Sequence, residues 1–337
     1  MKLLVAILSL VLTPLLAHAQ ATRPAWLDTG QFRWTSTPPL LAPHDRDGEH
    51  YYSVKDPSVV HHDGKWHVFC TVRGQKRSHN VEYFAFTDWD KAGEGERHLL
   101  PISDGYYCAP QVFYFRPHKK WYLVYQINGP EGVKSLQPAF STNDDVGDWR
   151  NWTKPEAFYD TLPDNAKNWI DFWVICDDRH AYLFFTSDDG RLWRARTSLA
   201  DFPKGWSKPE IIMTGDIFEA SATYKLKGTN RYLKIIECVA PNGRRYFKAF
   251  TADHLDGEWT PLAGTLGKNF AARENVTFTG ERWADSISHG ELVRSSNDER
   301  LEIDPAHLAF VYQGLTEAQQ RGKPYGELPW RIGLLSP

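Results

Sequence analysis

The sequence predicts an all-β fold, a five-bladed β-propeller with a functional funnel on its central axis. Three observations carry this. A short segment rich in aromatic and β-branched residues occurs five times, further strand-like segments flank each copy, and amphipathic helix is scarce. The copies are Lys65-Trp66-His67-Val68-Phe69-Cys70, Lys120-Trp121-Tyr122-Leu123-Val124-Tyr125, Ala181-Tyr182-Leu183-Phe184-Phe185, Tyr232-Leu233-Lys234-Ile235-Ile236 and Leu308-Ala309-Phe310-Val311-Tyr312. They recur every 50 to 75 residues or so, roughly the spacing of propeller blades joined by loops of unequal length.

Each copy is the second strand of its unit. Ahead of it lies a first strand, at 54–60, 109–115, 170–177, 218–226 and 287–294. Behind the first four comes a third, at 82–87, 137–141, 192–197 and 246–251, followed by Trp89, Trp149, Trp206 and Trp259 in polar or glycine-containing turns. Five antiparallel units of this kind suit a propeller better than a two-sheet sandwich.

Residues 1–19 read as a secretory leader. Lys2 is followed by an apolar run over residues 3–16, and Ala17-His18-Ala19 has the small-x-small form of a cleavage site. The run is short for a membrane span, and Pro14 lies near its end. The expectation is a secreted or periplasmic protein whose residues 20–337 form one propeller domain, with the stretch just after Gln20 as an approach segment. No later stretch is apolar enough to cross a bilayer. A net charge of -3 offers no electrostatic footprint for nucleic acid or anionic lipid. No apolar surface stripe stands out, so the expected state is a monomer.

Fourteen Trp, fifteen Tyr and eighteen Phe exceed what a minimal core needs, and the surplus suits platforms for the apolar faces of sugars. Cys70, Cys108, Cys176 and Cys238 contain no CxxC element, which argues against a zinc ribbon or thioredoxin motif. Export permits disulfides in three pairings, and buried thiols explain the four equally well. Asp188-Asp189-Gly190 and Asn143-Asp144-Asp145 read as turns. Asn151-Trp152-Thr153 and Asn275-Val276-Thr277 are glycosylation sequons, relevant only in a host that glycosylates.

The first strands line the axis of a propeller, so their residues converge. They read Lys55-Asp56-Pro57, Ala109-Pro110-Gln111, Ile170-Asp171-Phe172, Phe218-Glu219-Ala220 and Ser288-His289-Gly290. Carboxylates are costly to bury unless paired or hydrated, so three at equivalent positions imply a polar cavity with a task. Glycoside hydrolysis matches that task, because it sets two carboxylates on either side of a scissile bond. A third would raise the pKa of the one that must stay protonated.

Ser53-Val54-Lys55-Asp56-Pro57, Trp169-Ile170-Asp171, Ile217-Phe218-Glu219-Ala220 and Ile287-Ser288-His289-Gly290-Glu291 occur in the order of motifs in the family 62 α-L-arabinofuranosidases. Gly243-Arg244-Arg245-Tyr246-Phe247, Phe250-Thr251-Ala252 and Leu328-Pro329-Trp330-Arg331 are similar to the same family, and the match runs from about Gly30 to the end. The resemblance implies a catalytic funnel that releases terminal α-L-arabinofuranosyl branches, with inversion, from plant cell-wall polysaccharides such as arabinoxylan. It implies Asp56 as general base, Glu219 as general acid and Asp171 as modulator, with base and acid roughly 6.5–9.5 Å apart. It places Lys55 and Tyr325 against the sugar and a Ca2+ ion at His289, although calcium ordinarily prefers oxygen ligands. Phe172 stands where members vary between Gln and an aromatic, so chemistry carries over more readily than substrate preference. Two alternatives are a neighbouring five-bladed family that cleaves β-xylosides and arabinan, and a carbohydrate-binding propeller without catalysis.

Overall fold

The computed structural model describes residues 24–46 and 48–337; the expected leader at 1–19 lies outside them. Five sheets surround a common axis, as expected. Blade I runs from the axis outward through Tyr51–His62, Lys65–Gly74, His79–Phe86 and His98–Leu99. Blade II uses Tyr107–Phe115, Lys120–Asn128, Leu136–Asn143 and Glu156–Ala157, and blade III uses Trp169–Cys176, His180–Ser187, Arg191–Ser198 and Glu210–Thr214. Blade IV runs through Ala222–Leu226, Tyr232–Val239, Arg245–Ala252 and Thr260–Ala263, with Glu302–Ile303 added parallel to its inner strand.

Blade V closes the ring with a strand from near the other end of the chain. Ser286–Leu292, Phe310–Leu315 and Arg331–Ser336 form its inner three strands. Trp34–Ser36, from the other end of the chain, pairs antiparallel to Arg331–Ser336 and parallel to Val276–Phe278. Joining both ends of the chain in one sheet leaves no seam through which blades could part. The three-residue Trp34–Ser36 segment was too short to show a period of its own.

The aromatic surplus is mostly core. Trp121, Trp169, Tyr125, Tyr182, Tyr224 and Tyr312 are among the largest fully buried side chains, filling the spaces within and between blades. The tryptophans after the third strands cover blade edges: Trp89 packs on Trp66 and Phe86, Trp149 on His98, and Trp206 on Phe158. All four cysteines are free and buried, which settles the thiol alternative. Residues 188–190 form the turn expected of them, between Ser187 and Arg191. Asn275 is occupied inside the fold, its amide nitrogen donating to the carbonyls of Phe32 and Phe270 and its oxygen accepting from Ala272 N–H.

A buried ion pair on the inner strands ties three blades. Arg294 Nε lies 2.6 Å from Glu291 Oε1, and Arg294 Nη2 donates to the carbonyls of Val59 and Val112, each at 2.8 Å. Glu291 Oε2 accepts from Ser58 Oγ, which itself accepts from Val112 N–H. Both charged side chains are only 1% exposed.

Candidate active site

The inner strands share one local device. In blades I, II and III the pairing with the second strand breaks at Lys55/Ser58, Cys108/Gln111 and Ile170/Trp173, leaving two bulged residues in each. The first bulged residue has a left-handed backbone: Asp56 at φ 50°, Ala109 at 53° and Asp171 at 57°. Ala220, at φ 50°, matches them in blade IV. In blade V the break falls at His289, between Ser288 and Gly290. A Cβ on Gly290 would lie 2.4 Å from the Val311 carbonyl oxygen, so the tight packing there requires glycine. Bulges bend a strand and re-aim its side chains, which is why they gather beside functional sites.

This register corrects one expectation. Asp56 and Asp171 are equivalent, but Glu219 lies one residue earlier, before blade IV's regular strand begins at Ala222. Backbone bonds from Phe218 N–H to Glu237 O and from Glu237 N–H to Glu219 O hold it beside the second strand. The carboxyl therefore leaves the backbone from a different point than those of the two aspartates.

A ring of hydrogen bonds orders the bulges. Each bulge amide donates to a side chain on the second strand of the preceding blade: Asp56 N–H to Gln313 Oε1, Ala109 N–H to Thr71 Oγ1, Asp171 N–H to Gln126 Oε1 and His289 N–H to Glu237 Oε2. Blade IV is the exception, because Ala220 N–H donates to Asp171 Oδ2, itself an inner-strand group, at 2.9 Å. That bond links Asp171 directly to the residue after Glu219.

All six expected residues come together. His289 Nδ1 lies 3.4 Å from Asp56 Oδ1 and 3.7 Å from Asp171 Oδ2. Lys55 Nζ is 3.4 Å from Asp56 Oδ2 and sits 5.5 Å from the centre of the Tyr325 ring. Tyr325 opens a short 3-10 turn, Tyr325–Glu327, and is 49% exposed, whereas the side chains of Asp56, Asp171 and Glu219 are 5%, 10% and 13% exposed. The tyrosine forms a rim and the acids a floor.

Sequence reading missed two members. Arg245 Nη1 reaches Glu219 Oε1 at 3.5 Å and Glu237 Oε1 at 3.3 Å, and its guanidinium lies 3.8 Å from the Phe218 ring centre. Glu237 is fully buried and also accepts from Ser288 Oγ at 2.7 Å. An acid at the end of the apolar Tyr232–Ile236 run was the available signal.

The acidities diverge. Burial pushes Asp56 up, but Lys55, then His289 and a hydrogen bond from Thr71 outweigh it and hold the carboxyl below its ordinary value. Burial, Glu237 and Asp171 drive Glu219 well above the carboxylate range, against Arg245 and Lys55. Asp171 is raised by burial and by Asp56, with His289 opposing. Asp56 raises Lys55 well above its usual value despite burial, so its amine stays charged.

Around His289 the carboxylates give the axis a negative character. The adjoining axial cavity, lined by Asp171, His289, Pro57 and Trp173, holds about 10 Å³, the room of roughly one water. Among the described residues, no three His, Cys, Asp or Glu side chains gather as a metal-binding group. A calcium ion would find one imidazole here and would take its oxygen ligands mainly from water.

One carboxyl held ionised and another held protonated, facing a common axis, is the division of labour of general acid–base catalysis. On a propeller frame, it defines a glycoside hydrolase. The chain belongs to glycosyl hydrolase family 62, whose family model matches residues 33–336. It is 42% identical over 311 residues, 90% of its length, to α-L-arabinofuranosidase C of Cellvibrio japonicus, and spans 46% of that protein. The catalytic domain of the Coprinopsis cinerea family 62 α-L-arabinofuranosidase superposes with a TM-score of 0.85 at 41% identity, over 91% of this chain and 97% of the other. A family 62 hydrolase in complex with xylotriose gives 0.85 at 37%, over 93% and 99%. Membership overturns the alternative of a neighbouring propeller family.

Proposed function

We propose that the protein removes terminal α-L-arabinofuranosyl branches from arabinoxylan or a related plant polysaccharide, with inversion. The single observation that carries this is the opposed acidity of Asp56 and Glu219 on one propeller axis. Family membership, the arabinofuranosidase activity of the relatives and the xylotriose bound to one of them support it. Secretion, the expectation from residues 1–19, belongs to the same proposal.

In this reading Asp56 is the general base. It takes a proton from a water whose oxygen bonds to the anomeric carbon, while the bond from that carbon to the leaving oxygen breaks. Glu219 gives its proton to the leaving oxygen, so both charges stay balanced. Attack from the face opposite the leaving group inverts the anomeric centre. Asp171 positions the backbone beside Glu219 through Ala220 N–H, and its charge helps keep Glu219 protonated. Lys55, charged and half-enclosed by Tyr325, donates hydrogen bonds to sugar hydroxyls.

The test is digestion of arabinoxylan by the protein, with NMR of the first anomer formed. Arabinose appearing first as the inverted β anomer supports the proposal. Retained configuration, xylose as the product, or binding without release overturns it.

The pH dependence follows from the same shifts. The base works once ionised, and its pKa is depressed; the acid works while protonated, and its pKa is raised. The kcat/KM profile on arabinoxylan is therefore a broad bell, with its acid limb below and its alkaline limb above the ordinary carboxylate range. A narrow bell centred within that range would contradict the assignment.

A calcium ion at His289, with a mainly water shell, is part of the proposal and supplies charge neutralisation on the axis. No step of the reaction passes through it. Dialysis against EDTA is expected to lower Tm by a few degrees, roughly the effect of losing about 1–2 kcal/mol of linked binding. Added Ca2+ restores it in the wild type and not in His289→Ala. An unchanged Tm would argue against the ion.

A further inference from the structure

We infer that Lys248 and Tyr246 grip Asp216 as a latch that positions Glu219 for proton transfer, an inference that rests on the proposed role of Glu219 as the acid. The need for a latch comes from where the acid stands. Asp56, Ala109 and Asp171 are bulged residues inside inner strands, so ladder bonds on both sides fix them. Glu219 has no such frame. It lies in the connection from Glu210–Thr214 of blade III to Ala222–Leu226 of blade IV, and residues 215–221 belong to no strand. At the acid and just after it, the chain is held by Phe218 N–H, by the Glu219 carbonyl and by Ala220 N–H. Before it, Ile217 N–H bonds back to the Gly215 carbonyl, and Gly215 turns the chain at φ 148°, a conformation other residues rarely adopt.

Asp216 ties down this loose side. Its carbonyl oxygen accepts from Lys248 Nζ at 2.9 Å and from Cys238 Sγ at 3.1 Å. Its Oδ2 accepts from the same Nζ at 2.8 Å and from Tyr246 OH at 2.7 Å. One amine thus holds the residue by main chain and side chain together, three positions before the acid. Tyr246 and Lys248 are two apart on the strand Arg245–Ala252, so both leave the same face of it. The first residue of that strand, Arg245, meets the Glu219 carboxyl and lies over the Phe218 ring. A single strand of blade IV therefore sets both the entry of the loop and the carboxyl it carries. Stability alone does not call for the arrangement. The Lys248 side chain is 11% exposed, which costs desolvation that an apolar residue would avoid, while its partner Asp216 is 57% exposed, and pairs open to water contribute little.

Asp216→Ala and Lys248→Met release the latch from either side. A displaced acid is felt most where the leaving group needs its proton. On arabinoxylan, kcat is expected to fall about 10- to 10²-fold with KM little changed. On an aryl arabinofuranoside with an acidic phenol, which departs with little help, kcat should stay within about twofold of the wild type. Where Lys248→Met does not fold, Asp216→Ala carries the test, because its side chain is more than half exposed and its removal opens no cavity.

Activity unchanged on both substrates in a folded variant, or lowered equally on both, overturns the inference and makes the latch a structural contact only. Glu219→Gln, measured alongside, keeps the two readings apart. Equal losses on both substrates in that variant unseat the acid itself, whereas a selective loss there with an equal loss in Asp216→Ala removes the latch alone.

Discussion

Glu219→Gln is expected to lower kcat on arabinoxylan by about 10²–10⁴-fold while leaving the fold and sugar binding intact. The amide matches the carboxyl in shape and can still meet Arg245, but it has no proton to give. The loss falls on the step that needs that proton, departure of a poorly acidic sugar hydroxyl. An aryl arabinofuranoside with an acidic phenol as leaving group needs far less protonation, so the variant should retain much more activity on it. Asp56→Asn, by contrast, should fail on both substrates, since each requires an activated water. Equal losses on both substrates in the Glu219 variant would remove it from the acid's role.

The largest effect on stability is expected at the buried pair of Arg294 and Glu291. Arg294→Met leaves Glu291 buried without its cation and frees the carbonyls of Val59 and Val112. Breaking a buried pair from one side costs about 3–5 kcal/mol, because the remaining charge is unpaired in a medium that solvates it poorly. For a chain of this size the corresponding fall in Tm is on the order of 10 °C, measurable by calorimetry. Replacing both members, as Arg294→Met with Glu291→Gln, should recover part of the loss, since no bare charge is left behind. A double variant less stable than the single would show that Glu291 has another partner worth more than Arg294. Because the pair joins blades I, II and V through residues that follow the bulges closely, loosening it also relaxes the inner strands that carry Asp56 and His289, so some activity should fall with it.

The residues that gather on the axis were legible in the sequence, and the pattern that sets their acidities was not. Asp56, Asp171, Glu219 and His289 could be named because a propeller repeats: once five first strands are aligned, their polar residues must face one axis; Lys55 and Tyr325 were placed beside them by the family resemblance. The blades themselves were readable for the same reason, since each is a local antiparallel unit whose strands follow one another along the chain. What was not readable depends on contacts between distant segments. The one-residue offset of Glu219 comes from a bulge, and a bulge is defined against a partner strand that the sequence does not display. The closure of blade V by Trp34–Ser36 joins the two ends of the chain, and a strand of three residues has no period to read.

The tertiary structure alone decided the acidities. Asp56 and Asp171 carry the same carboxyl at equivalent bulges, yet one is lowered and the other raised, because Lys55 lies 3.4 Å from the first, whereas at the second burial and the charge of Asp56 outweigh His289 and the Ala220 N–H bond. Glu237 and Arg245 entered the site from the second and third strands of blade IV, where a sequence reader expects only core and surface. By itself, the sequence determined the repeat, the fold class and the set of groups on the axis, since these follow from side-chain periodicity and local pairing. Which of those groups keeps its proton is a matter of distances of a few ångströms in a desolvated space, and only the packed molecule sets them.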